Sequence, residues 1–345
     1  MEKILVVFTG GTICTTIAGG TMSTDPTAAA ALIELYKRSN SSCKDTVKLV
    51  PGKNFGILSE NMTVGKWNAL IDYFQQILPD CAGYRGIIVA HGTDTLAYTA
   101  TLFSQLLKGI AIPVVFVSSN RPILTKEGEP NPHANGAANF RAAVELICEG
   151  LQPGVYATYE NPEDGRMYLH QGAHLRQCAI YDDNFYSRDA LDITDEAAIS
   201  QSTSSQQAIP LLEMGQLRLK DCILKVDPYV GLNYEMLDPT KAKAVLHGTY
   251  HSGTACVECD EAQNSILSLF ERCAKADIPF YYAPARTGEE ATVYASVPLI
   301  ERHEAYGQRI RFHYGMTEEL LYTKLLLAYS LDWPQDKIDE FLKEE

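Results

Sequence analysis

Five consecutive apolar residues, Ile4-Leu5-Val6-Val7-Phe8, run straight into Thr9-Gly10-Gly11-Thr12. The run is too short for a buried helix and is rich in β-branched and aromatic types, so it reads as a central strand covered on both faces. Two glycines then free the backbone to take dihedrals closed to other residues, and they present Thr12 at the carboxyl end of the strand. Open α/β sheets bind their ligands at that edge. Gly86-Ile87-Ile88-Val89-Ala90 repeats the pattern and delivers His91-Gly92-Thr93-Asp94-Thr95 to the same edge, so two hydroxyl-bearing strand ends and a carboxylate are expected to face one pocket.

The rest of the chain builds a sheet around these two strands. Thr24-Asp25-Pro26 opens a helix with a capping residue ahead of a first-turn proline, and its apolar side runs through Leu32, Ile33 and Tyr36. Val47 to Val50 reads as a short strand. Thr63 is the expected N-cap of a helix in which Trp67, Leu70, Ile71, Phe74 and Leu78 recur at helical spacing. Leu96, Ala100, Phe103 and Leu107 mark the next helix, Pro113 to Val117 a further buried strand, Ala134 to Cys148 a helix and Gly154 to Tyr159 a strand.

Strands alternating with helices imply parallel pairing and right-handed crossovers. The expected fold class is therefore α/β: a doubly wound, mostly parallel sheet in a large N-terminal domain, residues 1–185, plus a smaller α/β C-terminal domain, residues 211–345. Between them, residues 186–210 are rich in Asp, Ser, Gln and Thr with little periodicity, and are read as a linker. In the C-terminal part Cys222 to Val226, Ala244 to Leu246 and Pro279 to Tyr282 read as strands, with helices near Ser265 to Ala276, Thr317 to Ser330 and Pro334 to Leu342. Cys14 to Thr21, small, polar and glycine-interrupted, reads as a loop and a candidate lid rather than an element.

Composition narrows the function classes. The 345 residues are 46% hydrophobic, enough for real cores, and the net charge of −14 would repel nucleic-acid phosphates over most of the surface. Nine cysteines follow no regular framework and no secretory leader is evident, so reduced thiols in the cytoplasm are expected. No apolar run approaches the ~20 residues of a membrane span.

A threonine hydroxyl is a weak nucleophile at neutral pH, so Thr12 needs a base and a place for the developing oxyanion. Thr93 beside Asp94 offers a hydroxyl and a carboxylate, and Gly92 offers close backbone approach. Either motif alone is also what a helix cap or a turn looks like. Together they resemble a known family: Phe8-Thr9-Gly10-Gly11-Thr12-Ile13 with His91-Gly92-Thr93-Asp94-Thr95 is similar to the bacterial-type (type I) asparaginases and glutaminase-asparaginases. The likeness extends through Leu58-Ser59-Glu60-Asn61-Met62-Thr63 and Met316-Thr317-Glu318-Glu319-Leu320.

That resemblance implies hydrolysis of L-asparagine to L-aspartate and ammonia through a threonine nucleophile, Thr12, and an acyl-enzyme. Thr93 is then the second threonine and Asp94 part of its activating network. Ser59 and Glu60 fall where the family holds the substrate's α-carboxylate and α-amino groups, Asp94 also reaches that amine, and Gly92, by its close backbone approach, completes the expected substrate-binding set. The resemblance also implies a homodimer or homotetramer completed by a neighbouring subunit, toward whose substrate Glu289 and Glu290 could reach. It implies no metal or organic cofactor and a small amino-acid amide as the ligand, while the charge and the lack of a long apolar run leave neither nucleic acid nor membrane as an expected partner.

Two departures stand out. The family carries a lid tyrosine where this chain has Gly20-Thr21-Met22, and a lysine paired with the aspartate where this chain reads Gly172-Ala173-His174-Leu175-Arg176. His174 and Arg176 are the candidate replacements, with opposite consequences: a neutral histidine can act as a base near pH 7, whereas guanidinium only orients or stabilises charge. A binding or regulatory protein on the same scaffold, with reduced or lost turnover, is the competing expectation. An amidotransferase component of the family is disfavoured, because such components carry an additional N-terminal domain. His247, His251, Cys256 and Cys259 have spacings reminiscent of a zinc site, but they follow a strand in a region where the family has a loop at the active site or interface.

Overall fold

In the computed structural model the described residues are 1–18, 21–24, 26–187, 190–192, 211–258, 260–285 and 297–344. Gly20, Cys259, Glu289, Glu290 and most of the expected linker lie outside them. The chain divides into two compact units, Met1–Leu217 and Arg218–Glu345.

The first unit contains, in order, β1 (Glu2–Gly10), β2 (Thr15–Ala18), β3 (Thr21–Thr24), α1 (Pro26–Arg38), β4 (Val47–Ile57), α2 (Val64–Ile77), β5 (Gly86–Ala90), α3 (Leu96–Leu106), β6 (Pro113–Val117), α4 (Gly136–Glu149) and β7 (Gly154–Asn161). The short strands β8 (Arg166–Gln171), β9 (Leu175–Arg176), β10 (Tyr186–Ser187) and β11 (Leu191–Asp192) follow. Seven strands form one sheet in the order β11-β8-β7-β6-β5-β1-β4. The pairs from β4 to β7 are parallel, and β8 and β11 add an antiparallel edge.

The sheet is covered on both faces, as near-continuous apolar strands require. Ile4, Val6, Phe8, Ile88, Ala90, Val115 and Val117 pack with Leu32, Ile33 and Tyr36 of α1 and Phe140, Val144 and Ile147 of α4. The alternate residues face the other way, where the rings of Phe116, Phe103 and Phe74 run from β6 through α3 to α2. Trp67 Nε1 donates to Thr99 Oγ1 at 3.0 Å, joining α2 to α3. The Thr63 hydroxyl caps α2 by accepting from Lys66 N–H at 3.3 Å, as its position ahead of the apolar stripe predicts.

The strand order reverses at β1, with β4 on one side and β5 on the other. Connections leaving β1 and β5 therefore diverge, which opens a crevice at their carboxyl ends.

Three expectations need correction. Cys14 to Thr21 is not a plain loop: β2 and β3 pair antiparallel, Thr15 opposite Thr24 and Ala18 opposite Thr21. Thr15, Thr16, Ile17 and Thr21 are the β-branched signal, and Gly19-Gly20 between the two runs has hairpin spacing in the sequence. The strand expected at Val47 to Val50 extends to Ile57, with register shifts against β1 between Val6 and Phe8 and between Phe8 and Gly10. Residues 186–210 begin with β10, paired to β9, and β11, paired to β8, rather than as featureless chain.

The second unit has a four-stranded parallel sheet, β12 (Ile223–Val226), β13 (Ala244–His247), β14 (Phe280–Tyr282) and β15 (Ile310–Phe312), in that order. Val226, Val245, Phe280 and Ile310 pack with Ile266, Leu269 and Phe270 of α5 (Ile266–Lys275) and with Leu299 of α6 (Val297–Ala305). Two further helices follow, α7 (Glu318–Ser330) and α8 (Gln335–Phe341). Thr317 Oγ1 accepts from Leu320 N–H at 3.2 Å at the start of α7. β15 and α6 are not evident in the sequence, being a three-residue strand and a weakly patterned helix. No helix of the described residues is long and apolar enough to cross a membrane.

Candidate active site

The crevice is lined by the turns that leave β1, β4 and β5. Gly10 and Gly11 adopt φ of 127° and 74°, open to glycine and strained for other residues. Neither has room for a side chain: a Cβ on Gly10 would lie 2.2 Å from Ile57 O, and one on Gly11 would lie 2.1 Å from the Gly92 Cα. Gly11 N–H donates to Ile57 O at 2.8 Å. Gly92 is equally confined, since its Cβ would sit 2.3 Å from Ser59 Oγ. Three loops thus meet through backbone, and Thr12 enters the contact as the first residue of the 3₁₀ turn Thr12–Cys14. Thr15 Oγ1 donates to Thr12 O at 3.0 Å and fixes that turn.

Thr93, Asp94 and Thr95 form a 3₁₀ turn between β5 and α3, and the turn Ser59–Asn61 meets it from β4. Ser59 is buried, and its hydroxyl donates to Asp94 Oδ2 at 2.9 Å while lying 3.3 Å from Asp94 N. Thr95 Oγ1 donates to Ser59 O at 3.1 Å. Asp94 and Glu60 are exposed and Thr12 and Thr93 half-buried, so carboxylates and hydroxyls remain open to a ligand. Ser59, Gly92, Thr93 and Asp94 therefore come together around the strand end that carries Thr12.

His91 is fully buried behind this turn, and burial pushes its imidazole down to about 4 against the opposing pull of the Gly92 carbonyl and Asp94. Its Nδ1 lies 2.8 Å from Gly92 O, and a carbonyl only accepts, so Nδ1 carries the proton of a neutral ring. His91 supports the backbone of the β5 turn as a neutral group. Thr9 Oγ1 does the same between strands, donating to Ala90 O at 2.8 Å.

His174 and Arg176, the candidates to replace the family's lysine, follow β8. His174 closes the 3₁₀ turn Gly172–His174 and is half-buried, and Arg176 is exposed on β9 opposite Tyr186. Gln177, which no sequence motif marks, reaches the Thr93 turn: its Nε2 donates to Thr93 O at 2.7 Å, and its Oε1 accepts from Ala97 N–H at 3.3 Å. A glutamine just past a half-matching motif carries no signal of its own, and 84 residues separate it from Thr93.

Of the residues with zinc-like spacing, Cys259 lies outside the described residues. His247 is buried, with Nε2 2.8 Å from Tyr234 Oη and Nδ1 2.5 Å from Gly248 O, so both ring nitrogens are engaged. No group of three or more potential metal ligands occurs among the described residues. The eight described cysteines are free thiols.

A doubly wound domain presenting a threonine and a Thr-Asp pair at its switch point belongs to a recognisable class of α/β folds. The family description "Asparaginase, N-terminal" matches residues 3–189, and the chain belongs to the asparaginase family. Among solved structures, the thermostable L-asparaginase from Thermococcus kodakarensis superposes with a TM-score of 0.75 at 20% identity, covering 100% of this chain and 98% of that one. A probable cytoplasmic L-asparaginase from Campylobacter jejuni gives 0.71 at 17% identity with full coverage of both. Similar sequences include a glutamyl-tRNA(Gln) amidotransferase subunit from Thermoplasma volcanium, 28% identical over 59% of this chain and 46% of that protein. Its counterpart from Saccharolobus solfataricus is 24% identical over 80% of this chain and 61% of its own. The chain spans about half to three-fifths of the length of these relatives.

Proposed function

We propose that the chain is an amidohydrolase that hydrolyses L-asparagine to L-aspartate and ammonia. The observation that carries this reading is the backbone contact between Gly11 and Gly92, which brings the strand end bearing Thr12 against the strand end bearing Thr93 and Asp94. In the first step the Thr12 hydroxyl adds to the side-chain amide carbonyl. The C–N bond then breaks, the departing nitrogen takes a proton, and an ester to Thr12 remains. Water hydrolyses the ester and restores the hydroxyl. Asp94, held by Ser59, meets the substrate's ammonium, and Ser59 with Glu60 frames its α-substituents. The same reading places the protein in the cytoplasm as a homodimer or homotetramer, which sedimentation measures.

The amidotransferase relatives favour a second reading, in which glutamine is the preferred amide and a partner protein receives the ammonia. A third, an amino-acid-binding protein with little turnover, draws on Gln177: a neutral amide, rather than an ionisable base, is hydrogen-bonded to the Thr93 turn. Steady-state ammonia release from asparagine and glutamine, beside calorimetric binding of each, separates the three. Release from asparagine that disappears in Thr12→Ala supports the first. Binding without release overturns it in favour of the third, and release from glutamine alone favours the second.

A further inference from the structure

The turn carrying Thr93 and Asp94 is held from two sides by different groups. Ser59 fixes the Asp94 half through its hydroxyl and its carbonyl, which accepts from Thr95. The Thr93 half is held by one side-chain amide, Gln177, which donates to Thr93 O at 2.7 Å and accepts from Ala97 N–H at 3.3 Å. Ala97 lies in the first turn of α3, where backbone N–H groups have no partner within the helix. The residue at the N-cap position, Thr95, makes no side-chain capping bond, so Gln177 supplies a capping acceptor from 80 residues away. Donor and acceptor of one planar group thereby lock the turn to the helix it feeds.

We propose that Gln177 is a positioning residue for the amidohydrolase reaction, acting through Thr93 and not on substrate. The proposal rests on the functional reading above and deepens it. Gln177 sets where the Thr93 backbone lies, and hence where its hydroxyl points, while Ser59 independently sets the Asp94 carboxylate that meets substrate. Chemistry and binding are therefore separable by substitution on the two sides of one turn. An amide does not titrate, so the clamp itself adds no pH dependence. Ionisable groups near it include Cys178, whose thiol burial pushes up and whose Sγ lies 3.3 Å from Gln177 Nε2, and Asp94 and Asp182, both close enough to act on that thiol.

Kinetics of Gln177→Ala, Gln177→Glu and Ser59→Ala on asparagine test this, with backbone amide exchange followed across residues 91–100. Gln177→Ala loses two neutral hydrogen bonds, so kcat should fall about 10-fold or more with KM within about 2-fold. Ser59→Ala should do the reverse, raising KM more than it lowers kcat. Gln177→Glu carries the sharper signature. Its protonated carboxyl can donate to Thr93 O and accept from Ala97 as the amide does, whereas its carboxylate faces a carbonyl oxygen and the charge of Asp94. The kcat of Gln177→Glu relative to the parent should be near unity at about pH 5 and fall as pH rises through a carboxyl pKa lifted above the ordinary ~4.3. A residue with a merely structural role gives a ratio flat in pH, and that result overturns the proposal, as does an unchanged kcat in Gln177→Ala. A parent that hydrolyses neither asparagine nor glutamine overturns the functional reading instead. Exchange then decides the clamp by itself: faster exchange in Gln177→Ala sustains it, and unchanged exchange across 91–100 removes it.

Discussion

Gly11 and Gly92 lie backbone against backbone, so close that a Cβ on Gly11 would fall 2.3 Å from the Gly92 nitrogen. The β1 and β5 turns are thus joined with no side chain between them, and any methyl group there must push them apart. Gly11→Ala adds the cost of φ at 74° to that clash, for a stability loss of about 2 kcal/mol or more. Gly92→Ala keeps an ordinary φ of −84° and meets only the clash with Ser59 and Gly11. Both variants should lose at least about 100-fold in kcat/KM, since misplacement by about 1 Å suffices for that. A Gly11→Ala protein with parental melting temperature and turnover would contradict the close contact.

Thr12→Ala isolates the nucleophile. Thr12 is half-buried at the start of its turn, and the bond that fixes the turn is to its carbonyl, which alanine retains. Stability should therefore change by no more than about 0.5 kcal/mol. Ammonia release should fall by about 1,000-fold or more, because no other step replaces ester formation. Parental thermal unfolding with lost release is the expected pair of measurements, and substantial release would reassign the nucleophile.

Asp94→Asn removes the charge but keeps an oxygen able to accept from the Ser59 hydroxyl. The turn should survive, and the loss should fall on the substrate's ammonium. A hydrogen bond to a charged group contributes about 1.5–3 kcal/mol, so KM for asparagine should rise roughly 10- to 100-fold. Titration calorimetry of asparagine onto Thr12→Ala, with and without Asp94→Asn, reads this without turnover, and equal affinities would remove Asp94 from the binding site.

The parts of this site that are legible in the sequence are those written in local chemistry. A strand of apolar residues, two glycines and a threonine specify β1 and its turn within ten positions, and β5 with its Thr-Asp turn does likewise, so Thr12, Thr93 and Asp94 are identifiable as strand-end groups. Helix α2 announces itself through Thr63 and through its apolar spacing. What escapes is decided by tertiary path. The bond from Gln177 to Thr93 depends on how β8 turns back into β9, and nothing in Arg176-Gln177-Cys178 encodes which of the three faces the β5 turn. The β2–β3 hairpin is hidden because glycine-rich, threonine-rich sequence suits both a hairpin and a loop. His91 looks like part of a reactive motif, yet its burial and its bond to Gly92 O make it a neutral support.

The second unit offers a prediction independent of catalysis. Glu318, in the first turn of α7, lies beside Asp227 and Lys225, with Lys225 Nζ 3.2 Å from Glu318 Oε1 and 2.5 Å from Asp227 Oδ2. Gly248 has no room for a Cβ because the two carboxylates close over it, Glu318 Oε1 and Asp227 Oδ1 lying 2.6 and 2.7 Å from where the carbon would sit. Burial pushes the Glu318 carboxyl up to about 7, and Asp227 adds to the rise while Lys225 opposes it. Burial also raises the Asp227 carboxyl, but the bonds from Lys225 and from Glu318 outweigh it and leave the net shift downward. Glu318 is thus the member that holds the proton. The folded chain binds that proton more tightly than the unfolded chain, so the stabilisation is complete below the ordinary carboxyl range and is lost as pH rises to about 7. Glu318→Gln keeps a group that can donate to Asp227 but cannot ionise. Its stability relative to the parent should therefore grow by on the order of 2 kcal/mol between about pH 4.5 and pH 8, a rise of several degrees in relative melting temperature. Calorimetric unfolding at the two pH values checks this, and a Glu318→Gln difference that does not change with pH would show that Glu318 is ionised in the folded chain throughout.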